Sequence, residues 1–233
     1  MRRTTVSLVA GLMVCGRLLA QSEPGAVRQF TVDDAWGRDT IQFQTTAPME
    51  DIIGTSNQVT GVLKADPGNL TGPGTAARIE VAVASFKTGI DMRDGAVAKA
   101  LGAPKNPVAV FTLEKIKSAS PPRLEPNAPV DIVAEGTFEL KGVRKSITVP
   151  ARITYVPKGG PFSKMRPGNF VRLTARFDFK LEDYGVERNG PVLPLQVGDT
   201  AHVTVTVLAS DASAEEMKAY RDNAIKYMGK ARG

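Results

Sequence analysis

Between Phe30 and Ala209, nearly every stretch free of Gly and Pro alternates apolar with polar residues. In the clearest run, Val171, Leu173, Ala175, Phe177 and Phe179 share one face, and Arg172, Thr174, Arg176, Asp178 and Lys180 share the other. Successive side chains of a strand point to opposite faces, so the run predicts a strand that is dry on one side and wet on the other. Ala201, Val203, Val205, Val207 and Ala209 repeat the pattern against His202, Thr204 and Thr206, as do Ile147, Val149, Ile153 and Tyr155 against Thr148, Arg152 and Thr154. Long antiparallel strands that bury one face either pack on a second sheet or close on themselves. The length of these runs points to closure. The predicted fold is all-β, an extended antiparallel barrel of about eight strands.

Strands are predicted over 29–33, 40–46, 56–65, 78–87, 108–117, 130–140, 143–156, 171–181 and 201–209, with a short apolar-acidic piece over 49–53. Asp66-Pro67-Gly68 is a turn, because Pro fixes its φ and Gly frees its own. Lys141-Gly142 turns a hairpin, with Gly142 as the natural position for positive φ. Between Arg93 and Leu101 the period shifts toward helical, with Ala96, Val97, Ala100 and Leu101 clustered, which predicts one short inserted helix. Residues 118–129 carry four prolines in a polar setting and read as an exposed loop, and 157–168 as a second loop. After Ser210, the pair Ser213 and Glu216 forms a capping box. Met217, Tyr220, Ala224, Tyr227 and Met228 then recur at helical spacing, predicting a C-terminal amphipathic helix over 211–233 whose apolar stripe either docks on the barrel or meets a partner or membrane surface.

The first 20 residues stand apart. Arg2 and Arg3 precede an apolar stretch from Val6 to Gly16, and the small Ala20 follows, the pattern of a secretory signal peptide. The expected location is therefore periplasmic or secreted, in a bacterial cell envelope. Removing residues 1–20 lowers the basic count from 30 to 27 against 24 acids, and the net charge from +6 to +3. The remaining Lys and Arg are spread over wet strand faces, so nucleic acid is not an expected partner. The single cysteine, Cys15, lies in the signal segment, leaving a mature chain without disulfide or thiol chemistry.

The chemistry of catalysis is sparse. The only histidine, His202, sits on a polar strand face, which removes a nucleophilic triad and the usual ligands of zinc, copper or haem. Asp33 with Asp34, Glu50 with Asp51 and Glu182 with Asp183 are sequence neighbours, and adjacent acids on a strand point apart, so they make poor chelates. No catalytic residue, metal site or cofactor is predicted. What remains is an apolar interior, which holds one elongated ligand or is filled by its own side chains.

Several segments, in this order, resemble the YceI-like family of periplasmic polyisoprenoid-binding proteins: VAVASFKTGIDMRD from Val81 to Asp94, Asn106-Pro107 before Val108, Val110, Phe111 and Thr112, GTFELKGV from Gly136 to Val143 before Ile147-Thr148-Val149-Pro150, and the closing stretches from Phe177 to Val186 and from Val197 to Val207. The chain departs from the family pattern at Arg38-Asp39, where a His-Ser pair is usual, and in the inserted helix, which lacks the His-Leu start and following aromatics. The resemblance implies a lipocalin-like barrel domain over 28–210 whose lumen takes an isoprenoid lipid or quinone. Candidate lining residues, chosen as apolar members of alternating runs, are Phe43, Val81, Val83, Phe111, Phe138, Ile153, Leu173, Phe177, Val203 and Val205. Arg93 and Asp94 are placed at the barrel mouth, either ordering it through a salt bridge or helix start or, for Arg93, meeting a polar or pyrophosphate head group. The function expected is a non-catalytic carrier; the alternative is a filled barrel that contacts another envelope protein. A membrane surface, touched transiently, and a second copy of the chain are the other partners considered.

Overall fold

A computed structural model describes residues 26–34, 37–159 and 166–230, with the backbone alone for Ala224 and 226–230. The segment read as a signal peptide, and the side chains of Ala224, Tyr227 and Met228, lie outside what is described. Ten strands form one antiparallel sheet: β1 (Arg28–Val32), β2 (Thr40–Thr46), β3 (Asp51–Ser56), β4 (Val59–Ala65), β5 (Ala76–Ala82), β6 (Val108–Ser120), β7 (Pro129–Leu140), β8 (Val143–Val156), β9 (Phe170–Lys180) and β10 (Thr200–Ser210). The helices are α1 (Asp91–Ala100), the single turn α2 (Leu193–Gln196) and α3 (Ala214–Lys230).

Eight of these strands close a barrel in the order β1-β4-β5-β6-β7-β8-β9-β10, with β1 returning to β10 through Thr31 opposite Ser210 and Val32 opposite Ala209. Five residues of β1 are enough to close only one end. Over the rest of β10, from Thr206 to His202, the partner is β2, with β3 beside it. The β2–β3 hairpin thus takes the place of β1 toward the other end and adds two strands to the wall there. It is joined across to the segment after β5 by a bridge between Thr55 and Lys87 and by a 2.5 Å hydrogen bond between the Ser56 and Ser85 hydroxyls.

The alternation sets which side chains enter. On β7, Val130, Ile132, Ala134, Phe138 and Leu140 are buried in strict alternation, and on β10 Ala201, Val203, Val205, Val207 and Ala209. Near the end closed by β1, Val32, Val130, Val207 and Ala209 are at most 1% exposed, so the barrel is packed solid there.

Four boundaries differ from the reading of the sequence. The expected strand over 78–87 stops at Ala82, because Val83–Ser85 turns as a single 3-10 helical turn that leads toward α1. The expected strand over 56–65 is preceded by β3, so the apolar-acidic piece at 49–53 is the start of a hairpin partner rather than a separate element. The proline loop after β6 is not simply exposed. Leu70 donates its N–H to the Pro122 carbonyl and Leu124 to that of Pro67, and both leucines are buried against the barrel end. The loop holding Asn189-Gly190-Pro191 contains α2, a helical turn that carries too few residues to show a period. At the β7–β8 turn, both Lys141 and Gly142 take positive φ, 54° and 78°.

The capping box forms as expected: Ser213 N–H donates to Glu216 at 2.9 Å, and Glu216 N–H to the Ser213 hydroxyl at 3.2 Å. Met217 is buried, and α3 is tied to the segment between β1 and β2 by Arg38 to the Tyr220 hydroxyl and by the ion pair of Arg221 with Asp33. Beneath these contacts lies a charged cluster. Arg166, 3% exposed, pairs with Asp34 at 3.3 Å and donates to the Leu208 carbonyl. Burial pushes the Asp34 carboxyl up, but its hydrogen bonds with Arg38 and the charges of Arg38 and Arg166 outweigh this and hold it below the usual range. Asp39, at one of the departures from the family pattern, is 2% exposed and accepts only the Leu208 N–H. Burial pushes its carboxyl up to about 6.

This predicts an acid-side stability optimum. Because the folded Asp39 holds its proton more tightly than the unfolded chain, stability is unchanged as pH falls to about 6. It then rises by up to about 3 kcal/mol as pH falls toward the unfolded value. Below that, protonation of the depressed Asp34 reverses the trend. Urea unfolding at pH 7 and pH 5 measures it. Asp39→Asn should flatten the rise, and an equal pH response in both proteins would refute the assignment.

Candidate functional site

A cavity of about 720 Å³ occupies the barrel, from the end built by β2 and β3 to the residues around the β4–β5 turn and the proline loop. At the latter end Phe30, Leu70 and Leu124 are buried on its wall, the two leucines brought there by the 66–75 turn and the proline loop. All ten residues chosen from the alternating runs stand on its wall: Phe43, Val81, Val83, Phe111, Phe138, Ile153, Leu173, Phe177, Val203 and Val205. Phe138 and Phe177 meet edge to face at 5.3 Å, as do Phe43 and Phe86 at 5.2 Å. Gly54, opposite Phe43 on β3, lets that ring lie close: a Cβ there would come within 2.2 Å of it.

The reading of the sequence missed the residues that keep the cavity empty. Ala109, Ala134, Ala151, Ala175 and Ala201 also face it, from β6, β7, β8, β9 and β10. Ala151 lies directly opposite Ala175, which lies opposite Val205, so one row across three strands presents two methyl groups and a valine. Apolar interiors are close-packed wherever side chains can meet, and a row this small cannot reach across a barrel. The signal was present in the same alternation, as inward positions occupied by Ala rather than by larger residues.

Around the opening, α1 presents Met92, Ala96 and Ala100 at i, i+4 and i+8, together with Arg93 and Val97. Arg93 is held three ways. It pairs with Glu50 at 2.8 Å, and donates to the Thr88 hydroxyl at 3.1 Å and the Thr88 carbonyl at 3.0 Å. Asp94 is not on the wall. Its carboxylate accepts from the Thr88 N–H and hydroxyl, both at 2.7 Å, and pairs with Lys87, so it fixes the start of α1. Those Thr88 hydrogen bonds and the Lys87 contact hold it below the usual carboxylate range. The two residues read as a mouth pair therefore share Thr88 and diverge beyond it: Arg93 ties α1 to the β2–β3 turn through Glu50, and Asp94 pairs with Lys87 in the segment before the helix.

Across the opening, Leu193, Gln196 and Val197 of the α2 region and Arg188 complete the rim, and the Met49 N–H donates to the Leu195 carbonyl, joining this loop to the β2–β3 turn. Among the described residues no group of three His, Cys, Asp or Glu side chains could hold a metal ion. His202 lies on the outer face, 2.8 Å from Asp178 on β9.

A closed antiparallel barrel with one deep apolar cavity and a helix at its mouth is the lipocalin-like arrangement of a small-ligand container. The YceI-like domain profile matches residues 30–209, and the chain belongs to the YceI-like family. Its fold is shared by several solved structures at low sequence identity. A polyisoprenoid-binding domain from Saccharophagus degradans is 16% identical, with 78% of this chain and 97% of that one aligned at a TM-score of 0.59. BcnA from Burkholderia cenocepacia is 18% identical over 77% and 99% of the two chains, with a TM-score of 0.56. A YceI protein from Campylobacter jejuni is 20% identical over 71% and 88%, with a TM-score of 0.54. No curated protein matches the chain.

Proposed function

We propose that this protein is an exported, non-catalytic carrier that binds a long apolar ligand, an isoprenoid lipid or isoprenoid quinone, in the barrel lumen. The observation that carries the reading is the cavity itself, about 720 Å³ with an almost wholly apolar wall kept open by inward alanines. Each methylene-sized group taken from water into such a wall contributes about 0.8 kcal/mol, so a flexible hydrocarbon chain is the ligand it favours. The polyisoprenoid-binding relative in Saccharophagus degradans supports the same class. A barrel acting only through its outer surface would need a dense interior. The signal-like segment around Arg2, Arg3 and Ala20 supports export to the cell envelope.

Organic extraction and mass spectrometry of the protein purified from its own envelope test this. A stoichiometric polyprenyl or quinone species is expected, and the same sample's intact mass should show a chain lacking its first 20 or so residues. An empty protein that also refuses added isoprenoids would overturn the carrier reading.

Loading would take place at a lipid surface. Met49, Ile90, Met92, Val192, Leu193 and Leu195 are all exposed, Met92 by 88%, and all lie on the segments that frame the opening. Ile90, Met92 and Leu193 also line the cavity, so the exposed apolar rim is continuous with the lumen. Rims of this kind mark sites of association with membranes or other proteins. The protein should co-float with neutral phospholipid vesicles, and Met92→Ser with Leu193→Ser should reduce the bound fraction severalfold. Equal flotation of both proteins would exclude this face.

A further inference from the structure

Among the described residues, four buried side-chain polar atoms have no hydrogen-bond partner: Asp39 Oδ2, Thr45 Oγ1, Arg166 Nε and Tyr184 OH. Only Thr45 belongs to a residue of the cavity wall. It is 3% exposed and stands on β2 in the inward series Ile41, Phe43, Thr45, at the end of the strand that reaches the mouth. A buried hydroxyl without a partner is costly, and buried polar groups in native proteins are nearly always paired, by protein, water or ligand.

Of the other polar residues of the wall, Lys64 is exposed and Gln196 half-buried, and the rest are engaged. Thr75 donates to the Leu70 carbonyl, Glu50 holds Arg93, Glu187 accepts from Asn189, and Arg188 donates to the Val197 carbonyl. Of the two arginines of the wall, Arg93 is neutralised by Glu50 and further bound by Thr88, and Arg188 is held at the rim by the Val197 carbonyl. An anionic head group seeking Arg93 would have to break its pair with Glu50. A neutral one needs a single donor or acceptor, and a threonine hydroxyl supplies either.

We infer that Thr45 is the head-group contact of the lumen, and that the cargo is an isoprenoid with a neutral oxygen head, a carbonyl or a hydroxyl, rather than a pyrophosphate ester. This rests on the carrier reading. With the apolar tail in the lumen, the head oxygen lies against Thr45, accepting its O–H if a carbonyl and giving or accepting a hydrogen bond if an alcohol. Phe43 and Ile52, which line the cavity on β2 and β3, flank the contact and keep it dry.

The test is a titration of the delipidated full chain with four probes: squalene, which has no head group, a polyprenol and its pyrophosphate ester of matched length, and an isoprenoid quinone. The polyprenol and the quinone should bind about three- to tenfold tighter than squalene, the pyrophosphate no tighter than the polyprenol. Thr45→Val, which keeps the shape, should erase the advantage over squalene and leave squalene affinity unchanged, while Thr45→Ser should retain it. Squalene binding in every variant with no preference for headed probes would overturn the head-group assignment alone. A preference for the pyrophosphate that is lost in Arg188→Gln but kept in Thr45→Val would do the same and move the contact to the mouth. Failure of all four probes, squalene included, would instead sink the carrier reading.

Discussion

Ala175→Phe should abolish isoprenoid binding while leaving the barrel folded. Ala175 faces the cavity from the middle of β9, with Ala151 and Val205 as its cross-strand neighbours, so a ring there projects into open space and not into packed atoms. Occupying that space removes the room for a hydrocarbon chain, and affinity for any isoprenoid probe should fall by at least about a hundredfold, the equivalent of a few buried methylenes. Filling a cavity tends to recover stability, at about 24 cal/mol per Å³ of void removed, so the melting temperature should stay level or rise. Leu173→Trp should act in the same direction one pair of residues along the strand. Circular dichroism melting and a fluorescent isoprenoid displacement assay read the two quantities separately. Unfolding of Ala175→Phe would mean that the interior is filled in solution, and unchanged binding would mean that the ligand lies elsewhere.

Gly136→Ala should produce the largest loss of stability. Gly136 lies at an inward position of β7, opposite Leu113 and next to the irregular step in the pairing with β6. A Cβ there would come within 2.3 Å of the Thr112 carbonyl oxygen and 2.7 Å of the Phe111 ring. The first obstacle is backbone in the centre of a continuous sheet, so relief requires the two strands to separate, at a cost of about 2–3 kcal/mol of the kind seen on overpacking. Urea denaturation measures it. A loss below about 0.5 kcal/mol would show that β6 and β7 are mobile enough to absorb a methyl group. The two substitutions make a matched pair: an added ring that is tolerated because it meets a void, and an added methyl that is not because it meets main chain.

Much of this was legible in the alternation. Inward and outward positions on β7, β9 and β10 follow from period two alone, and this is why every large apolar residue chosen from the runs stands on the cavity wall. The capping box was legible because a cap is a local motif whose partners are three residues apart. Elements set by distant partners were not. The strand expected to reach Lys87 stops at Ala82, where the Val83 N–H turns to the Pro107 carbonyl and Lys87 exchanges backbone hydrogen bonds with Thr55. The proline loop read as solvent-exposed because its composition is polar, yet it delivers one leucine, Leu124, to the cavity wall. Asp94 and Arg93 are adjacent in the chain, but a helix start sends the carboxylate back to Thr88 and the guanidinium across to Glu50, 43 residues away.

The chain's periodicity by itself determined that this is an all-β protein with long antiparallel strands and a dry inner face, because a strand's two faces are read out residue by residue. Its composition, with one histidine and one cysteine, removed a nucleophilic triad and the usual ligands of zinc, copper or haem. Whether the dry face encloses space or merely meets itself is a question of distances across the barrel, and only the tertiary structure decided that. β1 is too short to close more than one end, the β2–β3 hairpin enlarges the other, and alanines from five strands face inward, leaving a cavity of about 720 Å³. No residue carries that information alone, since each alanine is ordinary in its own strand and becomes a wall only when closure brings the others opposite it.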